Sequence, residues 1–145
     1  MRRETQEILL KVKRQHGRVR RLTKQLREMR TDMAALPGQR LDGMPRGGAV
    51  GQGGVVGRVI GVDQMERRVG FARERLRRAQ DRAGEAVLSE EKKKIIGDSF
   101  ATFCLAYYVR GRSFDEARAF AERSARQCRR YMMEIERKEH KSVKY

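Results

Sequence analysis

The stretch Ser113–Arg137, SFDEARAFAERSARQCRRYMMEIER, contains two helix starts that lie 11 residues apart. Ser113 is followed three residues later by Glu116, and Ser124 is followed three residues later by Gln127. Both pairs have the capping-box spacing, in which a serine hydroxyl accepts an amide proton of the first helical turn. The spacing leaves room for a short helix, a tight turn and a second helix, which is the length pattern of a helix-turn-helix.

Each of these two helices is predicted to have one apolar face. In the first helix, Phe114, Ala117 and Ala121 share a side. In the second, a buried stripe follows the 3-4-3 spacing of apolar residues: Ala125, Cys128, Met132 and Ile135. Roughly opposite this stripe lie Arg126, Arg130 and Arg137, with Gln127 beside them and Arg129 nearer the boundary. Arginine and glutamine suit phosphates and base edges of a major groove, although a solvated basic face on an ordinary amphipathic helix gives the same pattern.

The overall charge points to a polyanionic partner. The chain has 145 residues and a net charge of +16, which favours nucleic acid as a partner and, second, an anionic membrane surface. One compact domain, or a small domain with an extended element, is expected at this length. The sequence has no run of 18 apolar residues and no secretory signal, so we expect a cytoplasmic protein without a membrane span.

The residues that carry chemistry in enzymes are not grouped in this sequence. Cys104 and Cys128 each lie on a predicted buried face and are interpreted as reduced core thiols. His16 and His140 have no cysteine or histidine at ligand spacing, so no metal site is expected. Because no paired carboxylates or nucleophile–base arrangement are recognisable, we expect no enzymatic activity, no cofactor and no small-molecule substrate.

The first long helix is predicted over residues 5–36. Its apolar residues keep a heptad spacing, with Gln15 as the one polar residue in the seam: Ile8, Val12, Val19, Leu22, Leu26, Met29, Met33 and Leu36. The outer face is basic: Lys11, Lys13, Arg14, Arg18, Arg20, Arg21, Lys24, Arg27 and Arg30. This face is either an ordinary solvated surface or a second surface that contacts phosphates.

A glycine-rich segment is predicted to separate the two long helices. Pro37-Gly38 should end the first helix, and residues 37–61 hold nine of the 14 glycines and both prolines. We therefore expect a flexible linker or long loop. Nucleotide binding is not expected there, because the segment lacks the Gly-Lys-Ser/Thr ending of a P-loop.

The second long helix is predicted from about Val62 to Val87, and it has a seam at the same spacing: Val62, Met65, Val69, Ala72, Leu76, Ala79, Ala83 and Ala86. Two such helices fold back most simply as an antiparallel hairpin. Assembly with a second subunit as a homodimer would bury the same seams, and the sequence does not separate these alternatives.

A third helix is predicted to start at Ser89-Glu-Glu and to form the core of a C-terminal domain. It is the most aromatic segment of the chain: Ile95, Ile96, Phe100, Phe103, Cys104, Tyr107 and Tyr108. Phe114, Phe120 and Tyr107 are the predicted joint between this helix and the helix pair. Residues 138–145 are predicted to be a polar, frayed basic tail.

Three segments resemble phage transcriptional regulators of the RinA and ArpU kind. Residues 107–114 (YYVRGRSF) and 124–131 (SARQCRRY) are similar to the C-terminal end of those proteins, which in turn resembles the fourth region of bacterial sigma factors. Residues 43–48 (GMPRGG) are similar to a glycine-proline segment between their long helices. Departures are the small Ala117 and Ala121, Arg118 where a small residue is common, and Cys128 in place of valine.

This resemblance implies a phage or prophage activator of late or packaging genes that binds double-stranded DNA in the bacterial host, at the nucleoid, and that contacts RNA polymerase. The predicted fold is all-α, with a helical hairpin over 1–88, a helix-turn-helix domain over 89–137 and the tail. The candidate DNA-binding residues are Arg126, Gln127, Arg129, Arg130, Arg137, Arg112 and Arg118. Two alternatives stay open: a small terminase subunit that recognises DNA for packaging, and a coiled-coil protein that binds RNA or other proteins.

Overall fold

A computed structural model describes residues 1–40 and 48–142 of the chain, and within them the side chains of residues 1–34, 57 and 59–137. All regular elements in these ranges are helical, which confirms the predicted all-α class for the described residues. The helices are α1 (Arg3–Arg40), α2 (Gly48–Lys92), α3 (Asp98–Cys104), α4 (Phe114–Ala121) and α5 (Ala125–Ser142). Helix α3 passes directly into a π-helical turn, Leu105–Val109.

The chain forms two compact units. Unit 1 consists of Met1–His16 together with Arg75–Tyr145, and unit 2 consists of Gly17–Glu74. Each unit contains part of both long helices. The residues of the hairpin predicted over 1–88 are therefore divided between the two units.

Unit 1 contains the main hydrophobic core. The first turns of α1 bury Leu9 and Val12 completely, and the second half of α2 buries Ala83 and Val87 completely. These residues pack with the aromatic segment: Phe100, Phe103, Cys104, Tyr108 and Val109. Helices α4 and α5 close the core with Ala117, Ala121, Cys128 and Ile135. The predicted core role of the aromatic segment is thereby confirmed, although Ile95 is 39% exposed.

In unit 2, α1 and α2 pack side by side. Leu26, Val69 and Ala72 are buried, as the heptad seams predict. Arg30 forms an ion pair with Glu66, in which the Nη2 and Oε1 atoms are 2.7 Å apart. At Gly61 the helices approach closely, because an added Cβ would lie only 3.3 Å from the terminal methyl carbon of Met29.

The predicted break at Pro37-Gly38 is wrong, because α1 continues to Arg40. A proline removes a single backbone donor, and neighbouring turns of the helix keep their hydrogen bonds. The predicted linker over 37–61 is also wrong for residues 37–40 and 48–61, which are helical. Its remaining part, residues 41–47, lies outside the described residues.

Two physical effects account for the helical glycines of α2. Extending an existing helix requires no new nucleus and adds one hydrogen bond per residue. This gain opposes the penalty of about 1 kcal/mol that each glycine carries relative to alanine. At Gly61, the missing Cβ also permits the contact with Met29.

Ser89 does not start a helix, contrary to the prediction, because it lies in the last turn of α2. The helix ends instead in a Schellman motif around Lys94, which has a left-handed φ of 56°. The amide of Ile95 donates to the carbonyl of Glu90 at 2.9 Å, and the amide of Lys94 donates to the carbonyl of Glu91 at 3.0 Å. This helix end is not predictable from the sequence, because the left-handed position is occupied by Lys94, whereas glycine or asparagine is usual there.

Two smaller predictions are also corrected. Phe120 is 56% exposed and takes no part in the joint beneath the helix pair, whereas Phe114 does, with its ring 6.1 Å from that of Phe103. Residues 138–142 are not frayed, because α5 extends to Ser142. Residues 143–145 lie outside the described residues.

Candidate functional site

Helix α4 begins at Ser113, as the sequence predicts. Ser113 has an extended backbone, and its hydroxyl accepts the amide proton of Glu116 at 3.3 Å. Helix α4 ends after eight residues at Glu122, whose left-handed φ of 52° turns the chain away from the helix axis. The amide of Glu122 donates to the carbonyl of Ala119 at 3.2 Å and closes this last turn.

Helix α5 begins after Ser124, which is the second predicted cap. The Ser124 hydroxyl accepts the amide proton of Gln127 at 3.2 Å. The bond uses the backbone of Gln127, and within the described residues its side-chain amide makes no hydrogen bond. The side-chain amide of Gln127 can therefore bind an external partner, although the backbone of the same residue takes part in the cap.

The buried stripe of α5 lies against α3 and α4. Cys128 and Ile135 are completely buried, and the ring of Tyr131 stacks on that of Phe100 with 4.6 Å between centroids. Burial raises the pKa of the Cys128 thiol, while the nearby charge of Arg118 lowers it to a smaller extent. In α4, the small residues Ala117 and Ala121 are the ones that are buried. Small side chains allow close approach of the two helices. The departures from the phage-regulator pattern at Ala117, Ala121 and Cys128 therefore occur at packed positions, whereas the departure at Arg118 is exposed.

The opposite face of α5 is exposed and basic. Arg126, Arg130 and Arg137 are all exposed, and none of them forms an ion pair with a described side chain. They follow one another at intervals of four and seven residues, so they form a single row along the helix. Met133 lies in the same row and is 64% exposed. This row presents three guanidinium groups and one apolar group to solvent.

The remaining predicted arginines are arranged differently. The guanidinium of Arg129 lies over the ring of Phe114, 5.9 Å from its centroid, so this residue helps to hold α5 on α4. Arg112 precedes α4 and approaches Glu116, with 3.7 Å between Nη1 and Oε2. Arg118 is exposed on α4. The structure thus places Arg126, Arg130 and Arg137 in one row, and gives Arg129 and Arg112 partners within the chain.

Two carboxylates of α5, those of Glu134 and Glu136, pair with residues at and near the start of α1. Glu136 accepts from the ammonium of Lys13 at 2.7 Å and from the hydroxyl of Tyr108 at 3.1 Å. Burial and the Glu136 carboxylate raise the pKa of Tyr108 well above its usual range. Glu134 forms an ion pair with the amino group of Met1 at 3.3 Å, and its carbonyl accepts from Gln6 at the same distance.

This separation of charges is the feature of the site that sequence reasoning missed. Acids and arginines alternate along α5, which looks like an ordinary solvated helix. The available signal was the position of Glu134 and Glu136 on either side of the buried Ile135. Residues that flank a buried stripe lie at the edge of the packed face, where a neighbouring helix can neutralise them.

The turn that leads into α4 is held by α1 and α2. The Val109 carbonyl accepts from the side-chain amide of Gln80 at 2.7 Å and lies 2.9 Å from His16 Nε2. Gly111 has a left-handed φ of 68°, and the His16 ring fills the space where a Cβ would stand. The start of α4 is therefore positioned by residues 16 and 80, both of which belong to unit 1.

No group of three or more His, Cys, Asp or Glu side chains within the described ranges is placed to hold a metal ion. Over the same ranges, no helix combines the length and apolarity that crossing a membrane requires.

Comparison of the chain with protein-family models, with curated proteins and with solved structures found no match.

Proposed function

We propose that the chain is a phage or prophage transcriptional regulator that binds double-stranded DNA through a helix-turn-helix formed by α4 and α5, next to the predicted helical hairpin. The observation that supports this most is the exposed row of Arg126, Arg130 and Arg137, with Glu134 and Glu136 of the same helix paired elsewhere. A single helix face that carries only cations and an apolar group matches the electrostatics of a major groove.

The lengths of the elements agree with this proposal. A helix-turn-helix uses a first helix that crosses the backbone and a second helix whose N-terminal residues contact base edges. Helix α4 has 8 residues, the turn is Glu122–Ser124, and α5 has 18 residues. Arg126, Gln127 and Arg130 lie in the first two turns of α5, where base contacts are expected.

The residues divide into two proposed roles. Arg130 and Arg126 read bases, because arginine can donate two hydrogen bonds to O6 and N7 of guanine. Gln127 is a further base reader, with its amide suited to adenine. Arg137 and Arg118 contact phosphates, which position the protein without specifying sequence. Activation of late or packaging genes through RNA polymerase is the role that the phage-regulator resemblance adds.

Charge reversal at Arg130 tests the proposal. The preferred DNA sites are first obtained by selection from a random duplex library with the purified full chain. We expect Arg130→Glu to abolish protection of a selected site in footprinting, because a carboxylate then faces the electronegative groove. The exposed position should leave the far-UV circular dichroism spectrum and the melting temperature unchanged.

The matched control is Arg68→Glu, which makes the same charge change at an exposed position of α2 in unit 2. It should retain footprints at the selected sites. Unchanged protection by Arg130→Glu, or equal losses in both variants, would show that α5 does not read DNA. Failure of the native chain to select any duplex would remove the DNA-binding proposal altogether.

A further inference from the structure

A second basic surface occurs in unit 1, between α1 and α2. It is a cleft of about 320 Å³, lined by Lys11, Gln15, Arg75, Arg78, Ala79 and Arg82. Four of these six residues are cations, and the lining contains no carboxylate. The spacing of residues 75, 78 and 82 places the three arginines on one face of α2, toward Lys11 on α1.

Like charges gathered in this way repel one another, and the repulsion is relieved when an anion binds between them. The larger cleft of unit 2 provides a contrast. It is lined by Arg27, Arg30 and Arg73, but also by Glu66, which pairs with Arg30 at 2.7 Å. The lining of the unit 2 cleft thus includes a carboxylate, whereas the lining of the unit 1 cleft contains none.

Gln15 provides an independent observation at the unit 1 cleft. Its side-chain oxygen is buried and has no hydrogen-bond partner in the described structure. A buried amide oxygen without a donor is unfavourable. Hydrogen phosphate can donate its P–OH proton to that oxygen, while rotation of the amide by 180° presents two N–H donors to a phosphodiester.

The unit 1 cleft faces away from the row of arginines on α5. Lys13 of α1 contacts Glu136 of α5. Lys11 and Gln15 are each two residues from Lys13, which places them about 160° around the helix axis from it. A straight duplex lying on α5 would therefore not reach the cleft, because the two basic surfaces face different directions.

We propose that the unit 1 cleft is a phosphate-binding site, in which Lys11, Arg75 and Arg82 hold the phosphate oxygens and Gln15 completes the hydrogen bonding. The ligand is a phosphate group, either free as phosphate or pyrophosphate or part of a nucleic-acid backbone. This proposal goes beyond DNA binding by α5 and does not depend on it.

Isothermal titration calorimetry of the full chain with inorganic pyrophosphate at low salt tests the site. The native protein should bind one pyrophosphate per chain. The double variant Arg75→Ala/Arg82→Ala should bind it about 10-fold more weakly or worse, since two charge-assisted hydrogen bonds are lost. The control Arg67→Ala/Arg68→Ala removes two exposed arginines of the same helix outside both clefts and should bind within about 3-fold of the native chain.

Absence of pyrophosphate binding by the native chain would overturn the proposal. Equal weakening in the two double variants would overturn it as well, because the effect would then be one of net charge. Circular dichroism and melting temperatures of each variant establish that the fold is kept. Since pyrophosphate needs no contact with α5, this result is independent of whether the chain binds DNA.

A second measurement identifies the source of the phosphate. The affinity for a random 12-base-pair duplex is measured for two variants. One is the double variant Arg126→Ala/Arg130→Ala, and the other is the quadruple variant that also carries the cleft substitutions Arg75→Ala and Arg82→Ala. A further loss of duplex affinity of 10-fold or more in the quadruple variant assigns nucleic-acid backbone to the site. Unchanged residual affinity, together with cleft-dependent pyrophosphate binding, assigns free phosphate. Both outcomes support a phosphate site at the cleft.

Discussion

At Gly111 both the backbone conformation and the neighbouring ring of His16 disfavour any residue with a side chain. The φ of 68° is disfavoured for residues with a Cβ, by about 1–2 kcal/mol. An added Cβ would also lie 2.8 Å from His16 Cε1. The glycine therefore serves the turn in two ways, since it permits the left-handed conformation and admits the histidine that lies beside the Val109 carbonyl.

We expect Gly111→Ala to lower the free energy of unfolding by at least about 2 kcal/mol, since the backbone strain and the overlap with His16 add. Urea denaturation followed by circular dichroism measures this change. The double variant Gly111→Ala/His16→Ala separates the backbone strain from the overlap. In this variant the overlap with His16 is removed, and the loss of stability comes only from the backbone strain and the lost histidine contacts.

The control for this prediction is Gly70→Ala, at a helical position where nothing lies within 4 Å of an added Cβ. It should raise stability by about 0.5–1 kcal/mol, because alanine is the better helix former. If Gly111→Ala raised stability as Gly70→Ala is expected to do, the turn at Gly111 would not have the described geometry.

The arginines of α5 show that residue type alone does not define a site. Arg129 lies over Phe114, whereas Arg126 and Arg130 have no ionic partner among the described side chains. All three are exposed and lie within five consecutive residues, 126–130. Their different surroundings follow from the 100° step of the helix, which turns Arg129 toward α4 and the other two toward solvent.

At the scale of elements, helix ends control the arrangement of unit 1. Two helices end on a residue other than glycine in a left-handed conformation, namely Lys94 after α2 and Glu122 after α4. In the first case a Schellman motif reverses the chain, so that Ile96 and α3 reach the core. The strain at Lys94 is offset by that burial.

Replacing Lys94 with glycine should therefore stabilise the protein by about 1 kcal/mol, because glycine adopts the left-handed conformation without the Cβ penalty. The measurement is the midpoint of urea unfolding. The opposite change is expected for Lys92→Gly, which is within α2 and should cost about 1 kcal/mol. A destabilising Lys94→Gly would contradict the described end of α2.

The π-helical turn changes which residues of the aromatic segment face the core. The turn Leu105–Val109 adds a residue to the repeat, so the apolar positions shift around the axis. Tyr108 becomes completely buried while Tyr107 stays partly exposed. The hydroxyl of Tyr108 then reaches Glu136 of α5, which links the turn to the helix that carries the arginine row.

At the scale of the whole molecule, the net charge of +16 is distributed over both units. Arginines of α5 and the unit 1 cleft belong to unit 1, and the cations around the larger cleft belong to unit 2. Such a distribution favours long-range attraction to a polyanion, in addition to any contact that reads sequence.

We expect the affinity of the full chain for a random duplex to fall about 10³-fold or more between 50 and 200 mM salt, as for six or more phosphate contacts. Fluorescence anisotropy over a salt series gives the slope of log K against log salt. A flat response would contradict a polyanion as partner, and a slope shared with Arg130→Glu would assign most of the affinity to cations outside α5.

Local chemistry made part of this structure predictable. Apolar residues at helical spacing identify the buried faces of the long helices and of α5, because burial follows the helical repeat. The two serine caps were also predictable, since a cap needs only residues within one turn. The all-α class and the exposed position of Arg126, Arg130 and Arg137 follow from these patterns.

The remaining features depended on effects that short-range sequence patterns do not include. Pro37 and the glycines of α2 are strong local breaks, yet both helices continue through them, and at Gly61 the contact with Met29 uses the missing side chain. The pairing of Glu134 and Glu136 with α1 required the N-terminal turns to pack on α5.

The sequence by itself therefore determined the helical class, the buried faces, the caps and the charge, because each depends on neighbours within a few residues. Only the tertiary structure decided how Glu134 and Glu136 are paired, what holds the turn before α4, and which cations gather in the unit 1 cleft. These outcomes depend on packing between segments 60 to 130 residues apart, such as His16 with Gln80 and Lys13 with Glu136.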